Sequence, residues 1–110
     1  MFPPAVPTLQ VSDVPAQAHI LDVREQDEWD AGHIDGAVHI PLADVPARLG
    51  EVPDDDRLIV VCRSGGRSAR AVAWLAENGF DAANLEGGMG AWVDAGRPIV
   101  SSDGATPFVR

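Results

Sequence analysis

The sequence predicts one α/β domain built on a mostly parallel sheet with helices over both faces. Apolar runs rich in Val, Ile and Leu alternate with segments of helical spacing. The run Leu58-Ile59-Val60-Val61 and the run Ile20-Leu21 with Val23 are apolar on consecutive positions, the pattern of strands covered on both sides. In such sheets the ligand site lies at the carboxyl ends of the strands, where Asp22, Cys62 and the loop at 86–90 fall.

Taken in order, residues 1–7 hold three prolines and are expected to form an irregular lead-in. Thr8 to Val11 reads as a short strand, and Ser12-Asp13 can cap a brief helical turn. His19 to Val23 is a buried strand; Glu25 to Ala31 is a short helix with Trp29 toward the core and Gly32 ending it. The turn Gly32 to Gly36 leads to a strand over Ala37 to Ile40. Pro41 opens a helix spanning Leu42 to Leu49, interrupted by Pro46, and Glu51 to Asp56 is a solvated acidic loop. Arg57 to Val61 is the central strand. Ser68 to Asn78 carries Ala69, Val72, Leu75 and Ala76 on one helical face, with Gly79 as the stop. Phe80 to Leu85 is the last strand, followed by the glycine loop at 86–90, a helix around Ala91 to Asp94 and an extended Pro98 to Val100. Residues 101–110 read as a flexible tail, which leaves 8–100 as the domain.

At 110 residues the chain buries roughly two-thirds of the surface it exposes unfolded, enough for a core of its own. No apolar run approaches bilayer length, and Met1-Phe2-Pro3-Pro4 lacks the basic and apolar regions of a secretory signal. One cysteine and no disulfide partner agree with a reducing compartment, so the cytoplasm is expected. The net charge of −9 repels nucleic acid and anionic membranes. All eight basic residues are arginines, and Arg63, Arg67 and Arg70 gather the positive charge beside the cysteine, which points to a small anionic or sulfur-bearing substrate.

Cys62 follows the central strand and is followed by Arg63-Ser64-Gly65-Gly66-Arg67-Ser68. A buried cysteine is commonly a small hydrophobe. That role requires neither Gly65 and Gly66 nor Arg63 and Arg67 within the next five positions. Glycines free to take positive φ at a helix start can aim backbone N–H groups at one point, and the helix end and arginines then favour thiolate over thiol. Cys62 is therefore the candidate nucleophile. His19, His33 and His39 lack metal-ligand spacing, so no metal site is expected.

Four motifs in order resemble the rhodanese homology domain: Leu21 to Glu25 with Glu28, Gly32 to Ala37 leading to Ile40-Pro41, Cys62 to Ser68, and Leu85 to Gly88 with Trp92. The resemblance implies a three-layer α/β/α fold on a five-stranded sheet, and a thiosulfate sulfurtransferase that uses a persulfide on Cys62 with no metal or organic cofactor. On this reading Arg63, Ser64, Gly65, Gly66, Arg67 and Ser68 bind the substrate. Asp22, Arg24 and Glu28 form an ion-pair cluster beneath the loop, and Arg67 is either catalytic or tied to an acidic neighbour. The partners would be a small anionic sulfur donor and a cyanide, thiol or protein acceptor. A phosphatase or arsenate reductase also places a cysteine before an arginine-closed loop, but with one residue more than the four between Cys62 and Arg67. A non-catalytic module is the remaining alternative, favoured if Cys62 is inert.

Overall fold

The computed structural model describes residues 5–54 and 56–110, so Met1 to Pro4 of the expected lead-in, and Asp55 in the acidic loop, lie outside the described residues. Among the described residues five strands form: β1 Thr8–Leu9, β2 His19–Asp22, β3 Val38–His39, β4 Leu58–Val61 and β5 Ala82–Leu85. They make one sheet in the order β1-β5-β4-β2-β3 with every pairing parallel. Among these residues there are three α-helices: α1 Gln26–Ala31 between β2 and β3, α2 Gly66–Glu77 between β4 and β5, and α3 Gly88–Asp94 after β5. Among the described residues no helix is long and apolar enough to cross a membrane.

Central position explains the composition of β4, whose residues are all buried between β2 and β5. Alternation along the strand divides the core. Leu58, Val60 and Cys62 join Leu21, Val23, Val72 and Leu75 on the α2 face, while Ile59 and Val61 join Ile20, Leu85, Met89 and Trp92 on the other. Each such aliphatic side chain contributes about 1.5–3 kcal/mol by leaving water, and a one-residue slip would exchange the two sets. On α2 the buried stripe is Ser68, Ala69, Ala71, Val72 and Leu75. Ala76, expected on that face, lies at its flank and is exposed.

Several expectations give way. The first strand ends at Leu9, and Val11–Asp13 is a 3-10 turn. The predicted helix over Leu42 to Leu49 is two 3-10 turns, Leu42–Asp44 and Leu49–Glu51, with Pro46 lacking the N–H a continuous helix would need there. Trp29 does not enter the core: its ring stacks between His33, 3.7 Å between centroids, and His39, 4.7 Å. Trp92 is a core residue, its indole N–H bonded to Pro98 O at 3.0 Å.

Residues 101–110, expected as a flexible tail, lie against the domain. The end of α1 leaves carbonyls without helical partners, and the tail supplies them: Ser102 N–H bonds Asp30 O at 3.1 Å and Phe108 N–H bonds Ala31 O at 3.0 Å. Val100 pairs antiparallel with His33 just before this segment. Gly32 is required at the crossing, because a Cβ there would collide with the Phe108 carbonyl.

Candidate functional site

The strand β4 delivers Cys62 to the carboxyl end of the sheet, and the backbone that follows is held from two sides. From the downstream glycine loop, Met89 N–H bonds Cys62 O at 2.8 Å and Gly90 N–H bonds Arg63 O at 3.2 Å. That approach depends on Gly88, at φ +58, where a Cβ would strike the Cys62 and Arg63 carbonyls. On the other side Gly65 caps α2 with φ +113, a left-handed turn that brings its own N–H to 3.1 Å from Cys62 Sγ. Gly66 has an open environment and is simply the first residue of α2, so only one of the two glycines is used for its conformational freedom.

Cys62 is 1% exposed, and its sulfur lies 3.3 Å from Ser68 Oγ. Burial pushes the thiol pKa up, but hydrogen bonds from the Ser68 hydroxyl and the N–H groups of Ser68, Gly65 and Ser64 outweigh it, and the net shift is downward. The expected field of three arginines is not what dominates. Arg67 is clamped by Glu28 through bonds of 2.7 and 2.9 Å, Arg63 Nε donates to Arg110 O at 3.0 Å, and Arg70 is exposed on α2. Directed donors, more than net charge, favour the anion.

Of the expected supporting cluster, the structure joins Asp22 to Arg24 and sets Glu28 apart. Arg24 is fully buried, with Nη2 2.8 Å from Asp22 and 2.7 Å from the Gly32 carbonyl, tying the end of β2 to the turn after α1. Glu28 turns to Arg67, which holds its carboxyl down at about 2, burial acting in the opposite sense. His33 Nδ1 bonds Trp29 O at 2.7 Å and His39 Nε2 bonds Arg24 O at 2.8 Å, so these rings brace the loops around α1. Among the described residues no three His, Cys, Asp or Glu side chains gather as a metal site.

One residue at the site went unpredicted. Asn84, buried on β5, donates from Nδ2 to Gly65 O at 3.1 Å, and its Oδ1 meets Ser68 Oγ. Its signal is a lone polar side chain in the run Ala82 to Leu85. Its neighbour across the sheet is Val60, two residues before Cys62, so both side chains fall on the α2 face.

Comparisons with known proteins converge on one family. A model of the rhodanese-like domain matches residues 10–95. The chain is 38% identical over 86 residues to a sulfurtransferase of Allochromatium vinosum, covering 77% of this chain and 80% of the relative. It is also 38% identical over 77 residues to the thiosulfate sulfurtransferase GlpE of Shewanella oneidensis, covering 69% and 76%. Among solved structures, a rhodanese-related protein from Thermoplasma volcanium matches with a TM-score of 0.80 and 30% identity, over 86% of this chain and 97% of the other.

Proposed function

This chain belongs to the rhodanese-like domain family of sulfurtransferases, and we propose that it moves a sulfane sulfur from an anionic donor such as thiosulfate to cyanide or a thiol through a persulfide on Cys62. The observation that carries this reading is the cradle around one buried sulfur, with the Gly65 N–H at 3.1 Å and the Ser68 hydroxyl at 3.3 Å. The named activity of the Shewanella relative supports thiosulfate as the donor.

The Cys62 thiolate attacks the outer sulfur of thiosulfate, the donor's S–S bond breaks, and sulfite leaves with the bonding pair. An acceptor lone pair then attacks the outer sulfur of the persulfide, whose S–S bond breaks to return the thiolate. In the free enzyme the charge rests on Sγ at the start of α2, where N–H groups of Ser64, Gly65 and Ser68 already point at it; in the persulfide the charge moves to the outer sulfur at the same helix end. Arg63, exposed at the rim, supplies the contact to the donor's oxyanion, and Gly66 leaves the rim open. Arg67 acts as a strut through Glu28, and the Asp22–Arg24 pair fixes the floor. The cysteine itself carries the transferred group, so this reaction calls on neither a metal nor an organic cofactor. A protein thiol is a further acceptor consistent with the exposed rim. The net charge of −9 disfavours nucleic acid and membrane surfaces as partners, and the free thiol fits a cytoplasmic location.

Engagement of Arg67 by Glu28 weighs against the phosphatase reading, in which that guanidinium would be free to hold phosphate. The test is incubation with thiosulfate followed by mass spectrometry of Cys62 and a cyanide assay for thiocyanate, with an aryl phosphate as control. A persulfide, thiocyanate and no phosphate release are expected. Phosphate release without any sulfur adduct would reverse the reading.

A further inference from the structure

The Ser68 hydroxyl stands between two acceptors, Cys62 Sγ at 3.3 Å and Asn84 Oδ1, closer still, and it has one proton for both. The orientation of the Asn84 amide is fixed by chemistry. Gly65 O can only accept, so Nδ2 must face it, and Oδ1 is left facing Ser68. Oδ1 in turn can only accept, so this bond forms only when Ser68 donates to Asn84. In that arrangement the serine oxygen offers the sulfur a lone pair, which suits S–H and not S⁻.

We propose that Ser68 is a two-position proton switch and that Asn84, acting through it, is a positioning residue that holds Cys62 as the thiol until the serine proton turns. With the thiol present, S–H donates to Ser68 and Ser68 donates to Asn84. When the thiol proton leaves to solvent, the Ser68 O–H rotates onto the thiolate and the buried Asn84 oxygen loses its donor. No covalent bond beyond S–H breaks. Leaving a buried acceptor unpaired is unfavourable, so Asn84 opposes the downward pull on the thiol that the Ser68 hydroxyl exerts. Once the sulfur is capped as a persulfide, Sγ no longer carries the charge, and the serine proton can return to Asn84. This deepens the sulfur-transfer reading and rests on it for its consequence in turnover; the thiol titration does not depend on that reading.

The test uses the fact that Cys62 is the only cysteine. The midpoint for iodoacetamide alkylation against pH, checked by thiolate absorbance, is measured for wild type, Asn84→Leu, Ser68→Ala and the double variant. The charged groups on the surrounding elements, Arg67 with Glu28, Asp22 with Arg24, Arg63 and Glu86, are the same in all four. Asn84→Leu, close in volume and without an acceptor, lowers the midpoint by about one pH unit. Ser68→Ala raises it, and adding Asn84→Leu to Ser68→Ala changes nothing further, because the relay is already cut. A midpoint that rises or stays put in Asn84→Leu, or the same fall in the Ser68→Ala background, overturns the proposal. An independent readout needs no variant at Asn84. The infrared S–H stretch of the wild-type thiol is expected at the lowered frequency of a donating S–H, and a frequency typical of an unbonded thiol also overturns it. Loss of sulfur transfer with the titration pattern intact would strike the proposed function and leave the switch standing.

Discussion

Glu28 on α1 grips Arg67 on α2 with two bonds, 2.7 and 2.9 Å, while its Oε1 also accepts the Glu25 N–H at 3.0 Å. One carboxylate thus closes the capping box of α1 and anchors the first turn of the helix that bears the sulfur cradle.

This carboxyl titrates at about 2 in the folded chain, against an ordinary value of 4.5. A depressed carboxyl contributes stability that is fully present above its unfolded pKa and is lost as pH falls through the folded one. The clamp should therefore weaken between pH 4.5 and about 2. Glu28→Gln is expected to lower unfolding free energy at neutral pH by on the order of 1 kcal/mol, because the pair is partly solvated. Urea denaturation of both proteins should show that gap closing toward pH 2; a gap constant with pH would mean that the carboxylate's charge is not what holds Arg67.

Arg24→Met is expected to cost far more, about 3–5 kcal/mol, because it strands a buried Asp22 charge. The Gly32 carbonyl loses its donor in the same step. Chemical denaturation measures the loss. A change below about 1 kcal/mol, the scale of an exposed pair, would show that Asp22 finds another partner.

The two loop glycines should part company on substitution. Gly65→Ala forces a Cβ into φ +113, at a cost of roughly 1–2 kcal/mol, and moves the N–H away from the sulfur. The thiol pKa should rise and sulfur transfer fall by about tenfold, equivalent to about 1.4 kcal/mol of transition-state stabilisation. Gly66→Ala meets no atom within 4 Å and should be neutral or stabilising by about 0.4–1 kcal/mol. Thermal melts and initial rates of the two variants decide the matter, and equal losses would refute the division of labour.

Cys62→Ser should remove persulfide formation and thiocyanate production while leaving the melting curve close to wild type, since the swap is nearly isosteric. Residual transfer near the wild-type rate would show that the sulfur travels another way.

What the sequence disclosed followed from locality. Leu58 to Val61 could be placed because a consecutive apolar run before glycine-rich polar residues has few other uses, and the loop Cys62 to Ser68 could be read because its chemistry is contiguous. Contacts across long separations were hidden. Glu28 and Arg67 are 39 positions apart, so the choice of Arg67 over Arg24 as the partner depends on how α1 meets α2. Asn84 became part of the site only through the register that sets it beside Val60. Pro46 signalled an interruption, but not that the segment would settle into 3-10 turns on either side of it. The docking of residues 101–110 depends on α1 carbonyls that become acceptors only once that helix has ended.

The grip of Met89 and Gly90 on the Cys62 and Arg63 carbonyls bears on the order in which the molecule is made. A chain emerging from the ribosome exposes the whole segment Cys62 to Ser68 well before it can present those N–H groups. The cradle is thus completed by its latest-synthesised part, and the cysteine passes through an interval in which it is a plain thiol without its companions. A nascent chain arrested before Gly87 should alkylate like an unstructured peptide, and the sulfur's distinctive reactivity should appear only once α3 has docked.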